Sequence, residues 1–152
     1  KKYVHIMTPY LILDNEMITT LTRTAKSGIE VAIIMPHIPD KWYAFALAKT
    51  YYQELIRAGV QIYEYEPGFV HAKVFVSDDD TATVGTINMD YRSLYLHFEC
   101  GTMIYGSDAV IQARNDFLST LTISQEIKIE NCKAHPLMRM FNSILRLFAP
   151  LM

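Results

Sequence analysis

Cysteine is scarce in this sequence, and its spacing excludes two kinds of site. The 152 residues contain two cysteines, Cys100 and Cys132, and no Cys-x-x-Cys pair. This number and spacing predict neither a disulfide framework nor a zinc site. Lone thiols of this kind are typical of a reducing compartment.

Long apolar runs and an excess of one charge are also missing. No stretch reaches the roughly 18 apolar residues that a membrane-spanning helix needs. Fourteen Lys and Arg stand against 16 Asp and Glu, a formal net charge of −2. A domain that grips a nucleic-acid backbone is usually distinctly basic, so we expect no nucleic-acid partner. The chain opens with Lys1-Lys2 rather than Met, and we expect it to be a piece of a longer protein whose upstream part includes membrane segments.

The order of hydrophobic patterns predicts the fold class. Strand and helix patterns alternate through the first 66 residues, which implies parallel strands joined by right-handed crossovers. Later strand candidates make the sheet mixed, and one more helix follows them. The predicted fold is therefore α/β, a mixed, largely parallel sheet sandwiched between helices. The predicted strands are 1–10, 29–36, 60–66, 69–77, 81–85 and 94–106, and the predicted helices are 14–26, 40–58 and 107–122.

Residues 70–88, "VHAKVFVSDDDTATVGTIN", carry the candidate chemistry. On a strand, His71 and Lys73 would share one face about 6.5–7 Å apart, a separation that a phosphate group can bridge. Imidazole serves as a nucleophile or proton donor near neutral pH, and the lysine charge suits phosphate oxygens. Thr86 and Asn88 follow Gly85 at a strand end and supply further donors.

Glu99 and the acidic turn complete the candidate constellation. A carboxylate bonded to one ring nitrogen of His71 would fix its tautomer and leave the other nitrogen to attack. Asp79 and Asp80 are interpreted as a solvated turn. A bare His-x-Lys pair on a strand is usually only core or surface, so the chemistry depends on the whole set of residues. No cluster of metal ligands accompanies them, and we expect no metal or other cofactor.

The full spacing resembles the HKD motif of the phospholipase D superfamily. His71-x-Lys73 is followed after four residues by Asp78, and after six more by Gly85-Thr86-x-Asn88. Nearly the whole chain, including "MDYRSLYLHFE" and the tail "ILRLFAPLM", is similar to the second catalytic half of bacterial cardiolipin synthases. His97 stands where that family is expected to have asparagine.

The resemblance implies roles for the motif residues. His71 would be one of two active-site histidines, Lys73 a phosphate clamp, Glu99 the residue that orients His71, and Thr86 and Asn88 phosphate-binding donors. Asp78 belongs to the motif, with structural support as its expected part.

The resemblance also implies an activity and its partners. The parent enzyme would transfer a phosphatidyl group between two phosphatidylglycerol molecules through a phosphohistidine, giving cardiolipin and glycerol. It would lie at the cell membrane with this domain facing the cytoplasm. One complete motif is half an active site, so the chain would be inactive as a monomer and would need the other half or an identical copy. The alternatives are a homodimeric single-motif phosphodiesterase or nuclease, a phospholipase D hydrolase, and a lipid- or partner-binding module with a dead site.

The end of the chain has a pattern of its own. We expect residues 1–130 to form the catalytic half-domain and residues 131–152 a C-terminal amphipathic tail. Apolar side chains recur in this tail at helical spacing, with polar residues between them. Such a stripe fits either a helix docked on the core or an interfacial helix on an anionic membrane surface. The stripe consists of Leu137, Met140, Phe141, Ile144, Leu145 and Phe148.

Overall fold

A mixed sheet with helices on both faces organises the chain. The computed structural model describes residues 2–132 and 136–151, with the side chains of 136–139 outside that description. Within these residues the sheet has seven strands. The strands are β1 (Tyr3–Met7), β2 (Glu30–Pro36), β3 (Gln61–Tyr65), β4 (Val74–Ser77), β5 (Thr81–Gly85), β6 (Gly101–Tyr105) and β7 (Ser124–Ile127). The helices are α1 (Asn15–Lys26), α2 (Trp42–Arg57), α3 (Asp108–Leu121) and α4 (Pro136–Leu147).

The strand order is β6-β5-β4-β1-β2-β3-β7. β1 pairs with β2 in parallel, and β2 pairs with β3 in parallel. The other four pairings are antiparallel. The mixed α/β fold is confirmed, but its parallel part is smaller than predicted. Only the crossovers through α1 and α2 make parallel neighbours, because β4, β5 and β6 follow one another as antiparallel neighbours.

Two layers of helix cover the faces of the sheet. Leu21 of α1 and Leu47 and Leu55 of α2 are buried against one face. Phe117 and Val110 of α3 are buried against the other. A strand between two helical layers has no polar face, and this explains the unbroken apolar run of β2.

The ends of the first helices follow from local chemistry. Asp14 caps α1 as predicted, since its Oδ1 accepts the Met17 N–H at 2.7 Å. The prediction that Asp40 starts the second helix is wrong, because α2 begins at Trp42 and Asp40 accepts a hydrogen bond from the Tyr10 hydroxyl. Gly59 follows α2 with a φ of +100°, a backbone conformation that favours glycine at a helix end.

Three predicted strands, those that correspond to β1, β4 and β6, are clearly shorter than the sequence suggested, and one strand was missed. β4 begins at Val74, so His71 and Lys73 precede the strand instead of sharing its face. β6 begins at Gly101, because residues 92–96 form a single π-helical turn. β7 pairs with β3 through a mostly polar sequence that has little strand character of its own.

A tight turn joins β4 to β5. Asp78 and Asp79 both have positive φ, 56° and 60°, and the Asp80 N–H donates to the Ser77 carbonyl at 3.1 Å. Two central residues in the left-handed region are typical of a type I′ hairpin, and aspartate is among the residues that tolerate it.

Helix α4 packs on α2 through its polar side. Arg146 donates to the Thr50 hydroxyl at 3.0 Å, and its guanidinium lies 4.4 Å from the centre of the Tyr51 ring. Leu145 is partly buried against the core, whereas Met140, Phe141, Ile144 and Phe148 of the predicted stripe are exposed. The side chain of Leu137, the remaining member, lies outside the described residues. The helix is therefore docked, but its apolar face is left open.

Candidate active site

The sheet brings the motif segments to one edge. Met7, the last residue of β1, lies opposite Val74, the first residue of β4. Gly85, at the end of β5, lies opposite Gly101, at the start of β6. Residues 71–73 and 86–100 therefore emerge together, beyond the carboxyl ends of the parallel strands. Loops at this edge commonly hold ligands in open α/β sheets.

Two glycines allow the backbone segments to approach closely there. A Cβ atom on Gly85 would lie 2.2 Å from the Cys100 carbonyl oxygen, and one on Gly101 would lie 2.9 Å from Ile87 Cδ1. The Thr86 N–H donates to that Cys100 carbonyl at 2.9 Å. Gly85 of the motif is thus required for the close approach of residues 100 and 101 at the start of β6. Glu99 immediately precedes them and is brought into the site by the same approach.

Glu99 is held by hydroxyl groups. Thr86 Oγ1 donates to one carboxylate oxygen of Glu99, and Ser93 Oγ donates to the other at 2.8 Å. Asn88 Nδ2 donates to Ser93 Oγ at 3.1 Å and extends the network. The hydrogen bond from Thr86, followed by that from Ser93, lowers the pKa of Glu99. Glu99 is therefore held in its ionised form, and Thr86 and Asn88 are its partners.

Lys73 is buried and close to His71. Its Nζ donates to the main-chain carbonyl of His71 at 2.7 Å. Burial lowers the pKa of Lys73, while the carboxylates of Glu99 and Asp90 oppose this effect. The ammonium group thus lies within electrostatic range of Glu99 and is a strong attractor for an anion because little water screens it.

The His71 ring is exposed, and the cavity that it lines has neither Lys73 nor Glu99 among its described lining residues. The ring stacks on Phe69 with the ring centres 5.6 Å apart and lines this cavity, of about 350 Å³, with Tyr65. Among the side chains that the structure describes, none hydrogen-bonds to this ring. The structure brings Lys73, Thr86, Asn88 and Glu99 together. The orientation of His71 by Glu99 remains a prediction.

Asp78 and Asp79 lie at the opposite end of β4. Asp78 Oδ1 accepts the backbone N–H groups of Lys2, at 2.6 Å, and Tyr3, at 3.0 Å. Asp79 binds Arg114 at 2.6 Å and the Tyr3 hydroxyl at 2.8 Å. The interpretation of Asp79 as a merely solvated residue is wrong, because it joins the hairpin to α3 and β1.

His97 contacts an arginine instead of the Glu99 network. Its Nε2 accepts from Arg92 Nε at 3.2 Å and lies 3.1 Å from Nη2. Residue 97 ends the π-helical turn, so it does not share a strand face with Glu99 as predicted.

Sequence reasoning missed the residues that hold this turn in place. Buried Asp90 accepts the Ser93 N–H at 2.7 Å, and the Ile12 N–H donates to the Met89 carbonyl at 2.8 Å. The Tyr95 hydroxyl donates to Asp14, and this bond raises the pKa of Tyr95 to about 12. Aspartate is a preferred residue immediately before a helical turn, and this preference is the sequence signal that points to Asp90.

The described residues hold neither a cluster of metal ligands nor a membrane-spanning helix. Residues 2–132 and 136–151 contain no group of three or more His, Cys, Asp or Glu side chains arranged to hold a metal ion. No helix in the same residues has the length and apolar character needed to cross a bilayer.

Solved structures with this architecture define the class of fold. Phosphatidylserine synthase of Haemophilus influenzae matches all of this chain and 42% of its own, with a TM-score of 0.75 at 15% identity. Nuc of Salmonella typhimurium, a phospholipase D family member, matches 84% of this chain and 83% of its own, with a TM-score of 0.72 at 15% identity. The fold is that of the phospholipase D superfamily.

Sequence comparison then identifies the family. The family profile described as "Cardiolipin synthase, PLD-like domain" matches residues 1–121. Cardiolipin synthase 2 of Bacillus anthracis is 40% identical over the whole of this chain, which covers 30% of that protein. An uncharacterized protein of Streptococcus mutans is 50% identical, with 33% of its length covered. The chain belongs to the cardiolipin synthase family of phospholipase D-like domains, and it spans about a third of the length of these relatives.

Proposed function

We propose that this chain is one catalytic half of a phosphatidyltransferase that converts two phosphatidylglycerol molecules into cardiolipin and glycerol. The observation that carries the proposal is the complete motif, His71-x-Lys73 with Thr86, Asn88 and Glu99, in a chain of the cardiolipin synthase family. The cluster of Lys73 with the Glu99 network at one sheet edge supports it.

The reaction proceeds in two displacements at phosphorus. An imidazole nitrogen of one histidine bonds to phosphorus, and the bond from phosphorus to the glycerol oxygen breaks. The second histidine gives its proton to that oxygen, and glycerol leaves. The hydroxyl of a second phosphatidylglycerol then attacks phosphorus, its proton passes to the second histidine, and the bond from phosphorus to nitrogen breaks. Covalent catalysis of this kind divides one difficult substitution into two easier ones.

The residues of this chain supply part of that machinery. His71 is one of the two imidazoles, and Lys73 stabilises the charge on the phosphate oxygens. Thr86 and Asn88 contribute donors at the same site, and the ionised Glu99 orients His71 once substrate and the second histidine are in place. Asp78 fixes the turn that begins β5 and does not touch the substrate.

The second imidazole comes from another motif, because His5, His37, His97 and His135 lack a lysine two residues onward. It belongs to another part of a longer chain or to an identical copy across a two-fold axis. Loops at the motif edge and the first residue of α2 expose apolar side chains that such a partner would cover. These are Ile38, Trp42, Phe69, Leu96 and Phe98.

The substrates place the working enzyme at the cell membrane. Upstream segments anchor the parent protein, the catalytic domain faces the cytoplasm, and the tail of residues 131–152 meets an anionic surface. The open apolar face of α4 supports this arrangement.

The test is the replacement of His71 by glutamine in the intact enzyme. Cardiolipin formation from phosphatidylglycerol vesicles, measured by mass spectrometry, should fall by about a thousandfold or more because the nucleophile or the proton carrier is lost. The matched control is His97→Gln, which removes another exposed imidazole nearby and should retain activity within about tenfold. Cardiolipin formation by the His71 variant at the normal rate would contradict the proposal.

A homodimeric phosphodiesterase or nuclease is the second candidate, and the match to nearly the full length of Nuc favours it. The net charge of −2 and the match to the cardiolipin synthase profile favour the transferase. A soluble phosphodiester offered to the same enzyme separates the two. Its hydrolysis without any cardiolipin formation would establish the second candidate.

A further inference from the structure

A basic cavity lies on the face of the sheet that α1 and α2 cover. It has a volume of about 520 Å³ and is closed on one side by α4. Among the described residues, four basic side chains and one acidic side chain, that of Glu54, line it. The basic side chains are Lys26, Lys49, Arg57 and Arg146. In a chain with a net charge of −2, this is a local concentration of positive charge.

Two of these cations are already engaged. Arg146 donates to Thr50 and lies 3.5 Å from Glu54 Oε2. Lys49 lies 3.7 Å from Glu64 and 4.3 Å from the centre of the Phe45 ring.

The other two cations carry unneutralised charge. Lys26 and Arg57 form no ion pair with any side chain in the part of the chain that the structure describes. They come from the last turns of α1 and α2, where carbonyl groups favour cations. A cavity with two cations that have no ion-pair partner among the described side chains matches a phosphate group. The hydroxyls of Thr22 and Thr50 at its wall donate to the Thr19 and Leu47 carbonyls, so the two cations are what would bind the phosphate.

Helix α4 joins this cavity to an apolar surface. Asn142, Ser143 and Arg146 face the cavity. Residues 140 and 144 lie on the far side of the helix from residue 142, since each is two positions from it and about 160° around the axis at 3.6 residues per turn. Met140, Ile144 and Leu147 are 61%, 47% and 76% exposed. A docked helix usually buries its apolar face, so this arrangement leaves that face available.

We propose that the cavity and the apolar face of α4 together form a docking surface for an anionic bilayer. The cavity binds the phosphate of an acidic phospholipid, and α4 lies in the headgroup region. The inference rests on the proposed function only in that its substrates are bilayer lipids. None of the residues that line this cavity belongs to the His71 site.

An anionic bilayer accounts for both halves of this surface at once. Interfacial helices bind by buried apolar area and by attraction to acidic lipids, and a combination of two weak signals gives stable attachment. Another part of a longer chain, or a second copy, would cover the apolar face but would not by itself use the charges of Lys26 and Arg57.

The experiment compares two pairs of charge variants of the 152-residue chain on its own, so that upstream membrane segments of the parent protein do not set its vesicle binding. Lys26→Gln with Arg57→Gln removes the free cations of the cavity, and Arg23→Gln with Lys128→Gln removes the same charge outside it. Sedimentation with phosphatidylcholine vesicles, with and without phosphatidylglycerol, measures the affinity. The Lys26→Gln, Arg57→Gln variant should bind the acidic vesicles about 25-fold more weakly, because each cation near an acidic surface contributes roughly fivefold to the affinity. The control pair should change the affinity less than about threefold.

The apolar half of the surface is tested separately. Phe141→Ser with Ile144→Ser should also release the protein from acidic vesicles, whereas the matched pair Met103→Ser with Leu118→Ser, on β6 and α3, should not. Equal losses for the cavity and control charge pairs would show a diffuse charge effect and overturn the cavity site. The Phe141→Ser, Ile144→Ser variant could instead bind vesicles as well as the parent chain does and associate differently with a second copy or another domain. That result would show that the apolar face of α4 contacts a protein, and it would overturn the proposal.

Soluble glycerol phosphate added as a competitor distinguishes the source of the phosphate. It should displace the protein only at concentrations far above those of vesicle lipid, because it lacks the apolar contact with α4. Equal potency would overturn the bilayer assignment. His71→Gln should keep vesicle binding while it loses turnover, so a failure of the proposed reaction would leave this result intact.

Discussion

Ser93 connects three residues of the site and carries no signature of that role in the sequence. Its hydroxyl donates to Glu99 and accepts from Asn88, and its backbone N–H donates to the Asp90 carboxylate. Thr86, in contrast, is part of the motif and supplies the other hydroxyl on Glu99. The lowered pKa of Glu99 therefore depends on one residue that the motif includes and one that it does not.

Replacement of Ser93 by alanine tests that dependence. The pKa of Glu99 is lowered by its hydrogen bonds, so the loss of one donor should move it up toward the ordinary value of 4.5. Glu99 then takes up a proton at higher pH, and the acidic limb of the rate profile of the intact enzyme should shift upward. We expect about a tenfold loss of activity near neutral pH, the scale of one hydrogen bond to a charged group.

The conservative variant Ser93→Thr keeps the hydroxyl and serves as the control. It should restore most of the activity and the original acidic limb. If the alanine variant lost activity with an unchanged pH profile, Ser93 would have a packing role only.

At the scale of elements, the β4–β5 hairpin depends on two aspartates with left-handed backbone conformations. Its turn is tied to β1 through Asp78 and to α3 through Asp79. Hydrogen bonds from the Lys2 and Tyr3 backbone lower the pKa of Asp78, and the Tyr3 hydroxyl followed by Arg114 lowers that of Asp79. Both carboxylates therefore favour the folded state when they are ionised.

The lowered pKa values of Asp78 and Asp79 decide how the stability of the fold depends on pH. The contribution of Asp79 is fully present above its ordinary pKa of 3.8 and is lost as the pH falls through its lower folded value. Asp79→Asn should lower the melting temperature by a few degrees near neutral pH, and the gap to the parent chain should close below about pH 4. Thermal melts followed by circular dichroism, from neutral pH to below pH 4, measure this difference in melting temperature.

Asp80→Asn is the matched control in the same turn. It makes the same charge change without removing the pair to Arg114, and asparagine tolerates the turn equally well. If the difference in melting temperature between Asp79→Asn and the parent chain stayed constant as the pH fell, Asp79 would act through its backbone conformation and not through its charge.

At the scale of the whole molecule, the site is an edge of the sheet and not an enclosed pocket. Loops after β1, β2 and β3 surround the motif segments, and Phe98, in the segment between β5 and β6, is fully exposed. A reaction that must exclude water needs that edge to be covered. The structure of this chain thus agrees with a site that another motif completes.

The chain by itself should therefore not catalyse transfer. A monomer isolated by size-exclusion chromatography should form no cardiolipin above background, because the second imidazole is absent. Addition of the complementary half, or conditions that produce a dimer, should raise the rate by at least about a hundredfold, the scale of general acid–base catalysis. A fully active monomer would contradict the half-site interpretation.

The sequence by itself determined the motif residues, the mixed α/β class, the cap of α1 and the extents of α1, β2 and α3 to within a few residues. These features depend on local signals: the spacing of chemical groups, apolar periodicity, capping residues and glycines after helix ends.

Only the tertiary structure decided that His71 lies in a loop before β4, that β7 forms, that hydroxyl groups surround Glu99 and that the apolar face of α4 points outward. Each depends on which segments meet in space. β7 exists because β3 offers it an edge, and Ser93 reaches Glu99 because a π-helical turn is tied to α1 and to the segment after β1. Periodicity shows that α4 has an apolar face. Which face docks was set by Arg146, whose hydrogen bonds to α2 turn the polar side of the helix inward.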